Sequence, residues 1–232
     1  MSTLLILGSK PDPVLPAQSA YDDLACANAS GYSAAKHNLP VPEYTVMTAI
    51  LTHKDSGQQS LQALSGLETI TLYFLPRPDK QRGFLKGAIH YLKSLEMSSF
   101  YLKYRLWLLN YKYKVFLNQR YEYYDRLVKE LCDYNEKILT QIQRKRPSTG
   151  IITLVIGLAR QQYHRFIISG FSFELTHPYA INPEIEESGT IVSKHADTDV
   201  TVIGYLSKKF GNIYTTEPIV HERAGIPLLR ED

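Results

Sequence analysis

Long apolar runs are missing from this sequence of 232 residues, and none approaches the roughly 20 residues that a membrane-spanning helix needs. The first ten residues, MSTLLILGSK, lack the basic head and the long apolar stretch of a secretory signal peptide. We therefore expect a cytoplasmic protein. Because 44% of the residues are hydrophobic, the chain is expected to bury a core, and its length favours a single domain over residues 1–232.

Cysteine is scarce as well. The two thiols, Cys26 and Cys132, are too few for a disulfide framework and do not have the spacing of a zinc site. We expect both to be free. The sequence also contains neither the Gly-x-Gly-x-x-Gly pattern of dinucleotide-binding folds nor a P-loop pattern that ends in Gly-Lys-Ser or Gly-Lys-Thr.

Glycine and proline are missing from the middle of the chain. No glycine falls between Gly87 and Gly150, and no proline falls between Pro78 and Pro147. Apolar residues recur there at helical spacing, which predicts two or three helices over about residues 80–146. Fifteen Lys and Arg against six Asp and Glu give this segment a net charge of +9, although the whole chain carries only +3. We interpret it as a basic helical insertion in the domain.

The same segment contains nine of the seventeen tyrosines. Tyrosine interleaved with Lys and Arg suits a nucleic acid, an anionic membrane surface or a charged saccharide. The plain structural alternative is a helical face with solvated charges and packed rings. Because no nucleic-acid motif is present, we expect no nucleic-acid partner. Peripheral contact with an anionic surface of an inner membrane is our hypothesis for this segment.

Outside the basic segment, short apolar runs alternate with helical or looped links. Such runs are typical of buried parallel strands, and the alternation favours an α/β sheet. Helices are predicted from Ser148 onward and over about residues 197–211, where Gly211 is the stop. Strands are predicted at about residues 3–7, 24–27, 44–51, 67–76, 164–170 and 212–217.

The first helix predicted after the basic segment begins with Pro-Ser-Thr-Gly at residues 147–150. A Ser or Thr at a helix start accepts a hydrogen bond from an orphan amide, and such an end also binds phosphate. Taken alone, a plain cap is the commoner case. Small polar residues also follow two predicted strands, where open α/β sheets bind their ligands. These positions, which together predict a nucleotide site, are Gly8, Ser9, Asn28, Ser148, Thr149 and Gly150.

Six stretches occur in order along the chain: ILGSKP (6–11), CANAS (26–30), RPSTGIITLVIGLA (146–159), ISGFSF (168–173), THPY (176–179) and HADTDVTVIGYL (195–206). In order and approximate spacing, this series resembles the motifs of the sialyltransferases of glycosyltransferase family 29. It is similar to their large motif, their small motif with Pro-Ser-Thr-Gly, their His-Tyr third motif and their very small motif. The resemblance covers most of the chain outside the basic segment.

The resemblance implies a Rossmann-like, mostly parallel sheet of sialyltransferase type, a CMP-activated acidic sugar as donor, and a reaction without metal or other cofactor. It places His195 where the family has the base that deprotonates the acceptor hydroxyl. It also implies that Ser9 and Asn28, with Gly8 in the same turn as Ser9, contact the cytidine and phosphate parts of CMP. Ser148, Thr149 and Gly150 would contact the nucleotide or the sugar carboxylate, and His177 would contact the phosphate.

The chain departs from the family in several places. The two motif cysteines that form a disulfide in the family have no counterpart here. His177 is followed by Pro178 before Tyr179, and the acid after His195 is Asp199 or Asp197, where a glutamate is usual. The donor sugar and the acceptor, a saccharide or a glycolipid, therefore stay open.

Histidine suits this chemistry independently of the resemblance. Imidazole removes a proton from a hydroxyl near neutral pH, and it also stabilises a departing phosphate. Three of the seven histidines, His177, His195 and His221, lie in the last quarter of the chain. Each is alternatively a surface or packed histidine, but at His195 the predicted helix start favours a function.

Two alternatives remain. Bacterial transferases that use CMP-activated 3-deoxy-manno-octulosonic acid (Kdo) are similar to sialyltransferases in fold, and those that retain configuration need a carboxylate nucleophile for double displacement. Glu174 is the candidate, whereas we interpret Glu184, Glu186 and Glu187 as solvated loop acids. The alternative outside enzymes is a non-catalytic nucleotide-binding or membrane-associated assembly module.

Overall fold

The computed structural model describes residues 2–52, 57–77, 97–174 and 192–230. Seven strands lie in these ranges: β1 Thr3–Leu7, β2 Asp23–Ala27, β3 Tyr44–Thr48, β4 Glu68–Leu75, β5 Lys112–Asn118, β6 Arg165–Ser169 and β7 Ile213–Thr215. They form one sheet in the order β5-β4-β3-β2-β1-β6-β7, and every neighbouring pair is parallel.

Helices cover both faces of the sheet. Two short 3₁₀ helices lie at Gln18–Ala20 and Ala49–Thr52. The α-helices in the described ranges are α1 Ser30–Lys36, α2 Gln58–Gln62, α3 Ser99–Leu108, α4 Tyr121–Leu131, α5 Glu136–Arg144, α6 Thr149–Ala159, α7 Ala196–Phe210 and α8 Pro218–Ala224.

The central strands are apolar throughout because both of their faces are covered. All five residues of β1 are buried, and successive side chains point to opposite faces. Leu4 and Ile6 belong to the core that contains α4, α6 and α7, whereas Leu5 and Leu7 belong to a core beside α1. The result is a three-layer α/β/α arrangement, which confirms the predicted fold class.

Helix α6 is the most deeply buried helix of the described part. Residues 151–158 are all buried, and the hydroxyl of Tyr44 donates a hydrogen bond to the Thr153 carbonyl oxygen at 2.8 Å. This packing fixes the position of α6 over β1, β2 and β3. The amino end of α6 is thereby held at the carboxyl edge of the sheet.

The strand order reverses beside β1. Strands β2 to β5 follow one another on one side of β1, whereas β6 and β7 lie on the other side. The carboxyl ends of β1 and β6 therefore flank a topological switch point, the place where open α/β sheets bind ligands. The turns after β1 and β6 are the first place to look for a site.

One sequence prediction is wrong. Residues Lys112–Asn118, predicted as part of a continuous helical block, form the edge strand β5. Helix α3 ends at Leu108, and Asn110 adopts a left-handed conformation with φ 52° that turns the chain without a glycine. Because β5 is an edge strand and only partly buried, its apolar residues do not alternate strictly, and its pattern resembles that of a helix. Residues 80–96 of the predicted block lie outside the described ranges.

The other strand predictions are confirmed within one or two residues, apart from the end of the 44–51 run, which forms a 3₁₀ helix. Cys26 and Cys132 are buried and free, as expected. Among the described helices, none has the length and apolar composition needed to cross a membrane.

The packing of α6 predicts the effect of adding one methyl group. A Cβ at Gly157 would lie 2.8 Å from the Tyr44 hydroxyl and 2.9 Å from Leu4 Cδ2, both in the core. We expect Gly157→Ala to lower the free energy of unfolding in urea by up to about 2 kcal/mol, because overpacking costs about 1–3 kcal/mol and the helix-propensity gain offsets only about 1 kcal/mol of it.

Gly31→Ala in α1 is the matched control. Its Cβ would meet only Leu64 Cδ2 at 3.6 Å, an ordinary contact. This variant should be unchanged or stabilised by up to about 1 kcal/mol. Equal effects of the two substitutions would contradict the close packing of α6 on β1.

Candidate active site

The turns after β1 and β6 contact each other through their backbones. The Gly8 amide donates to the Ser169 carbonyl at 2.8 Å, and the Lys10 amide donates to the Gly170 carbonyl at 2.9 Å. A Cβ at Gly8 would lie only 2.3 Å from the Gly170 carbonyl oxygen, and Gly170 has φ 71°. Glycine is therefore required at both positions, and the two turns form one rigid floor at the switch point.

The ring of Phe171 joins this floor to the start of α6. A Cβ at Gly150 would lie 2.7 Å from Phe171 Cε1, and a Cβ at Gly8 would lie 2.9 Å from Phe171 Cδ2. One aromatic ring therefore touches the backbone of the β1 turn and that of the α6 amino end. Gly8 and Gly150, predicted from distant parts of the chain, lie at one place.

The amino end of α6 is not closed by its own cap residue. Ser148 is at the N-cap position, but its hydroxyl makes no capping hydrogen bond, and its amide donates to Asp199 Oδ1 at 2.8 Å. The first bond of the helix runs from the Ile152 amide to the Ser148 carbonyl. Within the described ranges, no acceptor binds the amides of Thr149 and Gly150. A helix end in this state suits an anion.

His195 lies beside this helix end. Its Nδ1 is 2.8 Å from the Arg146 carbonyl oxygen. A carbonyl only accepts, so Nδ1 carries the proton and the lone pair is on Nε2. Burial lowers the pKa of His195, and the charges of Lys145, Arg146 and Lys194 lower it further, although the hydrogen bond to Arg146 raises it. The imidazole is neutral at pH 7 and can act as a base.

Asp199 lies one helical turn after His195 and is buried. Burial raises the pKa of Asp199 to about 7, although the hydrogen bonds from the Ser148 amide and side chain lower it. Thr198 donates to the Lys145 carbonyl oxygen at 2.9 Å. The start of α7 thus holds residues 145–148 at three points, through His195, Thr198 and Asp199.

Asn28 follows β2 at the same edge. It has φ 52°, its amide donates to the Val46 carbonyl at 2.8 Å, and its Oδ1 accepts from the Thr48 amide at 3.0 Å. The hydroxyl of Ser30 donates to the Leu7 carbonyl at 2.8 Å, next to the β1 turn. Asn28 therefore lies close to the predicted nucleotide site, with its amide oxygen engaged by β3 and its amide nitrogen directed to no described acceptor.

The remaining predicted site residues are less closely bound. Ser9 is half-buried after Gly8, and its hydroxyl makes no hydrogen bond to another described residue. Glu174 is exposed and forms an isolated antiparallel bridge with Val192, and no hydrogen bond or ion pair joins its carboxylate to another described residue. His177 lies outside the described ranges, so its predicted role stays a prediction.

The sequence analysis missed a buried ion pair at this edge. Glu217, with no exposed surface, accepts from Lys10 Nζ at 2.5 Å and from the amides of Val14 and Gly170 at 2.9 Å each. It therefore ties together the segments after β1, β6 and β7. Its only signal in the sequence is an acid directly before Pro218, at the end of a predicted strand, which is typical of an ordinary helix start.

Two arginines were also missed. The guanidinium of Arg146 lies 5.9 Å from the ring centroid of Tyr121, and one of its nitrogens is buried with no hydrogen-bond partner in the described ranges. Burial lowers the pKa of Arg77, and the nearby charge of Arg146 lowers it further. Two cations without a described anionic partner therefore lie close together after β4 and before α6.

These features define a class of site. A switch point, a helix end with free amides, the imidazole of His195 and two arginines lie at one edge of the sheet, an arrangement that suits an anionic ligand. In the same described ranges, no three His, Cys, Asp or Glu side chains lie together as metal ligands would.

Solved structures with a similar fold include sialyltransferases. The chain superposes on CstII from Campylobacter jejuni in complex with CMP with a TM-score of 0.55 and 14% identity, covering 99% of this chain and 86% of that one. For Cst-II in complex with a trisaccharide acceptor and CMP, the TM-score is 0.53 and the identity is 15%, covering 100% of this chain and 89% of that one. For the monofunctional α-2,3-sialyltransferase Cst-I from Campylobacter jejuni, the TM-score is 0.54 and the identity is 14%, covering 98% of this chain and 80% of that one. The chain has a sialyltransferase-like fold.

Comparisons by sequence add nothing to this result. No protein-family model matches the chain, and no curated protein matches it.

The Glu217 cluster predicts a large stability effect. Glu217→Ala leaves the Lys10 ammonium and two backbone amides without their acceptor, so the free energy of unfolding should fall by about 3–5 kcal/mol. Asp12→Ala, which removes the exposed partner of Lys36, should change it by less than about 1 kcal/mol. Urea denaturation followed by circular dichroism measures both. A similar, small decrease in the free energy of unfolding in both variants would show that the Glu217 ion pair and hydrogen bonds do not stabilise the fold.

Asp199 predicts a pH-dependent stability. Its pKa is about 7 in the folded protein but about 3.9 in an unfolded chain, so the folded state holds an extra proton between about pH 4 and 7. This contribution to stability is complete below about pH 4 and is lost as the pH rises to about 7. Asp199→Asn removes the contribution, so its stability relative to the native protein should increase with pH across this window.

The measurement is urea unfolding at several pH values. The difference between the two proteins should change by up to about 1.4 kcal/mol per pH unit inside the window and level off above it. Asp197→Asn, which removes an exposed carboxylate from the same helix start, is the matched control. A flat difference for Asp199→Asn would contradict the buried protonated carboxyl.

Proposed function

We propose that this protein is a glycosyltransferase that moves an acidic sugar from a CMP-activated donor to a saccharide or lipid-linked acceptor. The observation that carries the proposal is the pairing of a helix end with free amides and a neutral imidazole at the switch point of a sialyltransferase-like sheet. The first feature suits a phosphate and the second suits proton removal. The neighbours named for CMP and acceptor complexes support the same class of reaction.

In the proposed complex, the phosphate of CMP lies at the amino end of α6. The amides of Thr149 and Gly150 donate to it, and Arg146 and Arg77 supply positive charge as the phosphate leaves. The turns with Gly8, Ser9 and Asn28 lie beside this end and contact the rest of the nucleotide. His177 is retained as a phosphate ligand on the resemblance alone. The charge of the leaving group is stabilised by these residues, and the proposal includes no metal.

His195 is proposed as the base. Its Nε2 takes the proton of the acceptor hydroxyl while the hydroxyl oxygen attacks the anomeric carbon and the bond to the CMP oxygen breaks, with its electrons leaving on CMP. One displacement of this kind inverts configuration. The hydrogen bond from Nδ1 to Arg146 holds the ring in the tautomer that the step requires.

The retaining alternative uses Glu174 as a nucleophile and Kdo as the sugar. Its carboxylate is exposed and has no described partner that positions it, so no specific observation favours this alternative over His195. A non-catalytic nucleotide-binding module would show CMP binding without turnover. The reaction is proposed for the cytoplasm, where contact of the basic segment with an anionic membrane brings the protein to a lipid-linked acceptor.

Ligand binding and turnover test the proposal. CMP should raise the melting temperature more than UMP, AMP or CDP, and the purified protein should transfer sugar from CMP-Neu5Ac or CMP-Kdo. His195→Ala should lower kcat by about 10²–10⁴-fold without preventing CMP binding. Glu174→Gln should leave kcat within a few-fold. Loss of turnover in Glu174→Gln alone would shift the assignment to the retaining mechanism, and absence of a CMP shift would reject the transferase.

The pH profile provides a separate check on His195. Because burial lowers the pKa of this imidazole, the native protein should stay active at pH 7 and lose kcat/KM only as the pH falls below about 6.5. If kcat/KM already decreased at pH values above 7 as the pH was lowered, another group would be the base.

A further inference from the structure

Helix α3 has two apolar faces, and within the described ranges only one of them packs against the rest of the protein. Leu102 and Leu106 are buried in the core beside β3 and β4. The opposite stripe recurs at helical spacing and is exposed, with Phe100 at 79% and Trp107 at 73% of their full surface. A helix that is apolar on both faces is expected to be covered on both. The exposed stripe consists of Phe100, Tyr104, Trp107 and Leu108.

Positive charge surrounds this stripe. Residues 97–120 include five Lys and Arg and no Asp or Glu. Lys103 flanks the stripe, with its Nζ 4.3 Å from the ring centroid of Phe116 on β5. Lys112 and Lys114 are exposed, and because residues two apart share one side of a strand, they lie on the same side of β5 as Phe116. We define the α3–β5 face as the four stripe residues with Lys103, Lys112 and Lys114.

We propose that the α3–β5 face docks onto the surface of an anionic lipid bilayer. Charge complementarity and residue type together carry the choice of partner. Aromatic and leucine side chains enter the boundary between headgroups and acyl chains, while neighbouring lysines contact anionic headgroups. Tryptophan and tyrosine are the side chains that prefer this boundary. The inference deepens the membrane contact that the proposed function assumes, by naming the surface that makes it.

Other partners fit the face less well. In a two-fold dimer through this face, the same lysines of both copies would meet, which like-charge repulsion disfavours. Lysines along β5 also oppose pairing of its free edge with another strand. A purely polar polyanion would leave Phe100 and Leu108 in water, because it offers them no apolar contact.

The position of the face relates it to the proposed reaction. Asn118, the last residue of β5, donates to Ser99 at the start of α3 at 3.1 Å. The Phe100 end of α3 therefore lies at the carboxyl edge of the sheet, as the candidate site does. Four strand spacings separate β5 from β1, or roughly 19 Å at about 4.8 Å each. A docked protein would hold its site close to headgroups that carry a saccharide.

Trp107 makes the test specific, because it is the only tryptophan in the chain. All tryptophan emission therefore reports from the face. Vesicles of phosphatidylcholine with phosphatidylglycerol should shift this emission to shorter wavelength, and brominated acyl chains should quench it. Pure phosphatidylcholine vesicles should have much less effect, and 0.5 M salt should reverse most of the binding. No donor sugar is needed, so a negative result leaves the transferase proposal standing.

Matched variants locate the contact. Lys112→Gln with Lys114→Gln should weaken vesicle binding by about 25-fold, which corresponds to about 1 kcal/mol for each lysine. Lys208→Gln with Lys137→Gln removes the same charge from exposed positions on helices that pack on the other face of the sheet, and should change binding by less than about threefold. Phe100→Ser should weaken binding by about tenfold, whereas Tyr134→Ser, which alters another exposed aromatic residue, should not.

Three outcomes would overturn the inference. Emission that stays unchanged with anionic vesicles means that the face does not enter a bilayer. A shift that grows with protein concentration in the absence of lipid identifies a second copy as the occupant. A shift with dextran sulfate but with neither kind of vesicle identifies a soluble polyanion.

Discussion

The candidate site depends on a contact in which two backbones approach with no room for a side chain. The carbonyl of Gly170 occupies the space where a Cβ of residue 8 would be, at 2.3 Å. This contact fixes the turns after β1 and β6 against each other, and Phe171 then carries the same constraint to Gly150 and the start of α6. Backbone and ring packing therefore fixes the orientation of the helix amides that are proposed to bind phosphate, and no flexible side chain is needed to orient them.

Two buried carboxylates fasten the parts of this edge that packing alone does not hold. Glu217 accepts from the segments after β1 and β6, and Asp199 accepts from the segment before α6. Both acids come from the last 34 residues of the chain, and strands β1 to β6 all precede them in the sequence. Because each leaves buried donors unsatisfied when removed, the site and the stability of its edge are coupled.

The sequence was informative where a local pattern decides the structure. Short apolar runs predicted the central strands, because a strand that is buried on both faces is apolar at every position and stands out in the sequence as a continuous run. Strand β5 was missed because an edge strand that is half in water mixes Lys with aromatic residues and imitates a helix. The pattern of residues 147–150 predicted the helix start correctly, and Ser148 indeed occupies the N-cap position.

The missed site residues share one property, namely that their roles arise from contacts across long stretches of chain. Glu217 meets Lys10 across 207 residues, and the same acid elsewhere would be an ordinary helix start. Asp199 was noted only as the acid after His195, whereas its partner is Ser148. No local period or propensity encodes such pairs. The ordered motifs include the segments of Ser148 and Asp199, whereas Glu217 lies outside all six stretches.

The opposite pKa shifts of His195 and Asp199 explain how one helix start can serve an anion. Burial makes the charged form unfavourable in both, so it lowers the pKa of the imidazole and raises that of the carboxyl to about 7. A charged Asp199 would place a negative charge at the Ser148 amide and compete with phosphate for the helix end. Near and below pH 7 that charge is reduced, while His195 stays unprotonated down to its lowered pKa. Burial thus favours an uncharged carboxyl at the helix end and an unprotonated imidazole beside it.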